Sequence, residues 1–297
     1  MGAFLDKPLR EKIRESGTSN GITFALSSMQ GWRQEQEDAH ICRSELDTEK
    51  FKKWSCYMVF DGHGGHDVAN HVSENFIDHL LDQDYFKNIE KISSSDEFEV
   101  NEMCLGNAIC DAFLSFDTSM ETVWKENIRE EKQQNMRGGC TAVGILVTET
   151  HLVFINLGDS RAFYVKTVED ESTKNKELKI NFSTKDHKPE NTEEKSRILA
   201  AGGTVEKILG NGPYRVDGEL AVSRAFGDFN YKKATRIDQK LAQKEKKVIA
   251  LPEIQFVERS DCDSFALIAC DGIYSASKNF KHQILKKTKF PARNTNV

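Results

Sequence analysis

The 297-residue chain has no apolar run near the roughly 20 residues that a membrane-spanning helix needs; its longest such stretches are Thr141–Val147 and Phe265–Cys270. The start Met1-Gly2-Ala3-Phe4-Leu5-Asp6 lacks the basic residues and long apolar middle of a secretory signal. No Cys-x-x-Cys spacing occurs. The seven cysteines (42, 56, 104, 110, 140, 262 and 270) form an odd set set mostly in apolar runs, which favours reduced core thiols over a disulfide or zinc framework. That usage fits a cytoplasmic or nuclear protein. There is no Gly-Lys-Ser/Thr phosphate loop, and Gly210-Asn211-Gly212-Pro213 lacks the third glycine and preceding strand of a dinucleotide fingerprint. Asp261-Cys262-Asp263 lacks the glycine and distal glutamate of a calcium loop. No internal repeat is evident.

What is present is a polar but core-forming chain. Charged residues make up 30% and hydrophobic types 38%, with a mean hydropathy of −0.57. That balance argues against disorder throughout, and the length suits one large domain or two small ones. Lys and Arg number 41 against 47 Asp and Glu, a net −6. Residues 278–297 carry six basic residues and no acid, so the preceding body holds −12 against an overall −6. This divides the chain into a body, 1–277, and a basic, divergent tail, 278–297. A basic cluster at Lys232, Lys233, Arg236, Lys240, Lys244, Lys246 and Lys247 lacks interleaved aromatics beyond Tyr231. In an acidic chain it reads as a solvated loop, and no nucleic-acid partner is expected.

Apolar, β-branched and aromatic runs bounded by turn residues predict strands at Ile22–Ser28, Trp54–Phe60, Thr141–Val147, His151–Leu157 and Phe265–Cys270. The middle pair, separated by Thr148-Glu149-Thr150, reads as an antiparallel hairpin. Val68, Val72, Phe76 and Leu80 recur every fourth residue, and Leu105, Ile109, Phe113 and Phe116 follow a like helical spacing, predicting two helices, the second ending near Arg129. A third is expected over Glu193–Ala201, stopped by Gly202-Gly203. Charged stretches at Ile89–Glu99, Thr167–Lys179 and Lys232–Lys247 read as solvated excursions. Strands that arrive in hairpins favour an α+β fold, a β core covered by helices, over a doubly wound parallel sheet.

Three predicted strands end on an aspartate beside glycine: Asp61-Gly62-His63-Gly64-Gly65, Gly158-Asp159-Ser160 and Asp271-Gly272. Glu35, Glu37 and Asp38 follow the first strand, and on extended backbone Glu35 and Glu37 would share one face with Asp38 on the other. One Asp-Gly alone is an ordinary turn. Together these acids suggest oxygen ligands for two magnesium or manganese ions that act on a phosphoryl group. His63, His66 and His71 match no zinc spacing. His63, flanked by glycines, is better read as a proton donor to a leaving group. Arg33 suits phosphate oxygens, its alternative being a surface ion pair with Glu35 or Glu37.

Several motifs now stand in one order: Ser28-Met29-Gln30-Gly31-Trp32-Arg33, Glu37-Asp38-Ala39-His40, Val59-Phe60-Asp61-Gly62-His63-Gly64-Gly65, Gly139-Cys140-Thr141-Ala142, Gly158-Asp159-Ser160-Arg161, Leu220–Asp228 and Ala269-Cys270-Asp271-Gly272-Ile273. Through them the chain resembles the metal-dependent serine/threonine protein phosphatases of the 2C type, animal branch, over Met1–Ile273. The resemblance implies a four-layer β-sandwich of two antiparallel sheets flanked by helices, with a metal pair in a cleft at one end. It implies Asp61 as bridging ligand, the Gly62 carbonyl on one metal, Glu37 and Asp271 on the other, and Asp38 within the same acidic set. Arg33 corresponds to the phosphate anchor, His63 to the general acid and Asp159 to a ligand of a third, weaker metal. The implied reaction is attack of a metal-bridging hydroxide on phosphoserine or phosphothreonine in protein substrates. The start Gly2-Ala3-Phe4-Leu5-Asp6-Lys7-Pro8 resembles members that can be N-myristoylated, although Asp6 stands where the general acceptor pattern has Ser or Thr.

The chain departs from that pattern after Ile273. Tyr274 is followed by Ser275 rather than an aspartate of the third-metal site, and the family's later helices and terminal Asp-Asn strand give way to the basic tail. The expectation is therefore a C-terminally truncated catalytic domain lacking its last elements. The alternative function is a weakly active or inactive form that binds phosphoproteins or other partners.

Overall fold

Alternation along Ser55–Phe60 shows how the layers are decided: Cys56, Met58 and Phe60 join one buried apolar cluster, while Tyr57 and Val59 join another on the opposite side. A strand with apolar residues on both faces must be covered twice. The computed structural model describes residues 4–285 except positions 48, 209 and 211 and segments 89–100, 131–136, 170–174, 234–241, 276–279 and 281–283. In chain order, β1 (Phe4–Leu9), β2 (Ile13–Ser19), β3 (Ile22–Ser28), β4 (Gly31–Arg33), β5 (Ala39–Arg43), β6 (Ser55–Phe60) and β7 (Gly62–His63) lead into helices α1 (Asp67–Leu81), α2 (Asp84–Asn88) and α3 (Glu102–Arg129). Then come β8 (Gly139–Cys140), β9 (Ala142–Val147), β10 (His151–Leu157), β11 (Arg161–Glu169), β12 (Lys176–Ser183) and α4 (Thr192–Ala200). The chain continues through β13 (Val205–Glu206), β14 (Arg215–Val216), β15 (Phe226–Gly227), β16 (Glu253–Glu258), β17 (Asp263–Ala269) and the single turn α5 (Asp271–Tyr274).

Two antiparallel sheets carry the fold, one of order β16-β10-β9-β6-β5 and one of order β12-β11-β17. Val143, Ile145, Phe154, Ala162 and Tyr164 fill the space between them. The outer face of the five-stranded sheet packs on α1 and α3, whose buried residues recur with helical spacing, and Phe76 meets Phe113, Phe116 and Phe226 at centroid distances of 4.7, 5.6 and 5.8 Å. Burying one such ring contributes about 1.5–3 kcal/mol. Asn101 starts α3 by accepting the backbone N–H of Cys104 at 3.0 Å. Helix α4 stops at Gly202, which takes the left-handed conformation, φ +76°. On the outer face of the smaller sheet, among the described residues, Phe280, Ile284 and Leu285 pack on Phe163, Val165, Phe265 and Leu267. The stretch 278–297 therefore contributes apolar side chains to the body.

The architecture is an α+β sandwich flanked by helices, as expected, and the hairpin forms as β9–β10 with the backbone N–H groups of Thr150 and His151 donating to the Thr148 hydroxyl. Two of the three excursions differ from expectation. Thr167–Lys179 lies partly in β11 and β12, whose outer, half-exposed positions carry Lys and Glu without breaking the ladder. Lys232 is 2% exposed and ion-paired rather than solvated. Ile89–Glu99 lies outside the described residues. Strand β5, which pairs with β6, is too short and polar to stand out in the sequence. Among the described residues, no helix is long and apolar enough to cross a membrane.

Candidate metal centre

Glycines bring the site's loops together. Short strand β8 pairs with both β7 and β15, so that His63 lies opposite Gly139 and Gly227 lies opposite Gly139 from the other side. A Cβ on Gly139 would sit 2.4 Å from Oδ2 of Asp228, and one on Gly62 would sit 2.2 Å from the carbonyl oxygen of Glu37. Only glycine permits so close an approach. Thr141 joins the neighbouring strand ends: its N–H donates to the Asp61 carbonyl at 3.0 Å, and its hydroxyl lies 2.8 Å from that of Ser160.

Against this frame the carboxylates converge. Asp38, Asp61 and Cys270 each offer a potential ligand atom, and these atoms lie within 4.8 Å of one another. Burial and the neighbouring carboxylates Asp38, Asp271 and Asp159 push Asp61 up to about 7. Asp38 is raised by burial and by Asp271 and Glu37, and Asp271 by burial and Asp159. Like charges gathered in a partly desolvated place are unfavourable unless a cation joins them. Arg33 is one source of relief, since its guanidinium acts to lower both Asp38 and Asp271. The donor set is carboxylate oxygen, which suits a hard divalent ion such as magnesium or manganese. The Cys270 thiol is driven upward, chiefly by burial, and donates to Asp38 at 3.4 Å, so it belongs to the frame as a protonated hydrogen-bond donor.

His63 stands beside the acids with its side chain 29% exposed, its Nε2 2.7 Å from Oδ2 of buried Asp228. Burial opposes the imidazolium, but Asp228 outweighs it and the pKa is raised. Asp228 is itself held by a second layer: Asp117 of α3 accepts the Gly227 N–H at 2.9 Å, and Lys232 donates to both Asp117 oxygens and to the Ala225 carbonyl, each at 2.8 Å. The loop delivering Asp228 is thereby fixed at both ends by one helix residue.

Asp38, Asp61, Asp159 and Asp271 share one electrostatic neighbourhood, with Asp61, Asp159 and Asp271 emerging after β6, β10 and β17. The expected split of faces in the first acidic run is altered because residues 36–38 are not in a strand. Asp38 reaches the cluster, Glu37 accepts the Gly65 N–H at 2.7 Å, and Glu35 is exposed. Gly62 abuts Glu37, and Arg33, exposed on β4, makes no ion pair with Glu35 or Glu37 among the described residues. Asp159 takes the Lys188 ammonium, and its carbonyl accepts the Tyr274 hydroxyl. A cleft of about 390 Å³ opens beside that pair, lined by Arg161, Lys185, Asp186, Lys188 and Asn191. Sequence reasoning assigned no role to Asp228, Lys188 or Cys270. The first lies in the run Leu220–Asp228, where the signal was available, but its partner is 165 residues away.

The chain matches the family Protein phosphatase 2C over residues 22–281. It is similar to Protein phosphatase 1B of Mus musculus, 40% identical over 279 residues, covering 94% of this chain and 64% of that protein. It is also similar to Protein phosphatase ppm-1.A of Caenorhabditis elegans, 38% identical, covering 94% and 54%, and to Protein phosphatase 1A of Homo sapiens, 39% identical, covering 94% and 65%. The chain thus spans between half and two thirds of the length of these curated relatives. Its fold is that of a solved serine-threonine phosphatase 2C from Toxoplasma gondii, with a TM-score of 0.64 at 19% identity, covering 92% of this chain and 83% of that one.

Proposed function

Since the chain belongs to the protein phosphatase 2C family, we propose that it hydrolyses phosphoserine and phosphothreonine esters in proteins, with magnesium or manganese held by its acid cluster. The observation that carries this reading is the set of carboxylates from distant strand ends, with Asp38 and Asp61 offering ligand atoms within 4.8 Å and Asp61 raised to about 7. Asp61, Asp38 and Asp271 would hold two ions, joined by the Gly62 carbonyl and Glu37, with Asp159 beside them. Bound there, the ions would neutralise a phosphate dianion and acidify a water.

The chain's own residues account for the rest. Arg33 offers two parallel N–H donors to phosphate oxygens. A water attacks phosphorus in line with the seryl or threonyl oxygen; the P–O bond to the side chain breaks as the new one forms. His63, oriented by Asp228, gives its proton to the departing alkoxide and regains one from the attacking water's side through solvent. Positioning and charge neutralisation dominate such a reaction. The substrates are phosphorylated proteins in the cytoplasm or nucleus.

The test is release of phosphate from phosphoserine peptides with and without manganese. The expected result is metal-dependent turnover that falls by on the order of 10²–10³ in Asp61→Asn, the size of losing one preorganised electrostatic group. Absence of metal-dependent turnover in the purified chain would overturn the reading.

A further inference from the structure

The loop 225–232 that delivers Asp228 is bent where an ordinary side chain resists bending. Gly227 and Asp228 both take the left-handed conformation, with φ +72° and +51°. Glycine accepts that region freely, whereas another residue enters it at a cost and stays only where surrounding contacts hold it. Those contacts are specific. The Asp228 N–H donates to the Gly138 carbonyl at 2.8 Å, and the Gly227 N–H donates to Asp117 at 2.9 Å. Lys232 closes the loop, its ammonium donating to the Ala225 carbonyl and to the two Asp117 oxygens, each at 2.8 Å. Lys232 is 2% exposed and Asp117 8%. A buried ion pair is weak support for stability, since apolar side chains of similar volume often serve as well. This pair has a narrower reach: among the described residues, the hydrogen bonds of its charged groups, other than those to each other, go to Ala225 and Gly227, which lead directly into Asp228.

We propose that the Asp117–Lys232 pair positions the proton donor, by holding the Asp228 carboxylate where its Oδ2 meets Nε2 of His63 at 2.7 Å. The carboxylate has little latitude there, because it packs on Gly139, where a Cβ would sit 2.4 Å from the same oxygen. A loop relaxed from its left-handed bend would withdraw Oδ2 and free the imidazole to turn. Asp117 and Lys232 act through Asp228 and are positioning residues, not catalytic ones. The inference rests on the phosphatase reading and adds to it a buried pair, one member on α3, that ties this helix to the proton transfer.

The experiment uses the double variant Asp117→Asn, Lys232→Met, because Lys232→Met alone leaves a buried carboxylate unpaired and endangers folding. Asparagine keeps an acceptor for the Gly227 N–H, and methionine fills the space of the lysine stem. Two substrates are compared with manganese: a phosphoserine peptide, whose alkoxide must be protonated as it leaves, and p-nitrophenyl phosphate, whose nitrophenolate need not be. For the peptide, kcat should fall about tenfold, a fraction of the roughly 10²–10⁴ that a well-placed proton donor contributes. KM and the manganese Kd should stay within about twofold, and p-nitrophenyl phosphate should lose far less than the peptide. Added to Asp228→Asn, the double change should cause little further loss, since both act through one carboxylate. Equal losses on the two substrates overturn the proposal, as does an unchanged peptide kcat or a full additional loss on top of Asp228→Asn. A readout apart from turnover is the imidazole N–H proton of His63 in NMR spectra of the magnesium-loaded chain. Its hydrogen-bonded signal should be present in the wild type and shifted or lost in the double variant; an identical signal in both overturns the proposal. Failure of the phosphatase reading is separate, shown by no manganese-dependent turnover of either substrate by the wild type while the NMR difference stands.

Discussion

Glu194 and Asp61 are both carboxylates withdrawn from water, and their surroundings drive them in opposite directions. Glu194, 3% exposed, accepts from Arg224 at 2.6 and 3.0 Å, from Ser223 at 2.6 Å and from Arg197 at 2.8 Å. Burial would raise it, but these donors hold it down to about 2. Asp61 has carboxylates for neighbours and rises to about 7. Where every oxygen is matched, the charge fastens α4 to the loop before β16. Where oxygens face oxygens, the fold keeps an electrostatic deficit that a cation can fill, and such places are favoured for function.

Replacing Glu194 with alanine should break the first half of this contrast most severely. Two guanidinium groups lose their partner, which typically costs about 3–5 kcal/mol, read as a lower urea midpoint, while any folded fraction keeps its metal-dependent turnover. Acid offers a second route to the same interaction. A shift from 4.5 to about 2 corresponds to roughly 3 kcal/mol. Because the folded pKa is the lower one, that stability is complete above about pH 4.5 and drains away as pH falls towards 2. Urea titrations at pH 6 and pH 3 should differ accordingly, and in Glu194→Gln the part of the difference due to this group should vanish.

Asp61→Asn tests the other half. Alongside its loss of turnover, the variant should unfold at the same or higher temperature in metal-free buffer, since a repulsive charge is gone; marked destabilisation would mean that Asp61 is a structural carboxylate like Glu194. Asp228→Asn should slow phosphoserine peptides by about 10- to 100-fold and p-nitrophenyl phosphate far less, because a good leaving group needs little protonation. Equal losses on both substrates would remove His63 as the proton donor. Lys53–Glu149, a solvent-exposed pair at 2.6 Å, marks the lower end of the scale. Lys53→Ala should change stability by less than about 1 kcal/mol in thermal unfolding.

The arms of the acid cluster were legible in the sequence because each follows an apolar run interrupted by glycine, a local signal at Asp61, Asp159 and Asp271. Helices α1 and α3 were equally plain from fourfold spacing. What escaped was relational. Lys232 looks like one more surface lysine until the fold brings Asp117, 115 residues away, against it. Asp228 and His63 are likewise united by β7, β8 and β15, each only two residues long and invisible to periodicity. Strands β1 and β2 expose most of their side chains, so no alternation of buried positions announces them.

The two sheets are not equally insulated. The five-stranded one lies beneath α1 and α3, whereas the outer face of β12-β11-β17 rests, among the described residues, on Phe280, Ile284 and Leu285. Strands β12 and β17 are largely half-exposed or exposed whereas β9 is buried along its length, so amide protons of β12 and β17 should exchange with deuterium sooner than those of β9. Asp271 follows β17 while Asp61 and Asp159 follow β6 and β10, so each such breathing event would detach one jaw of a three-sided vice and leave two in place.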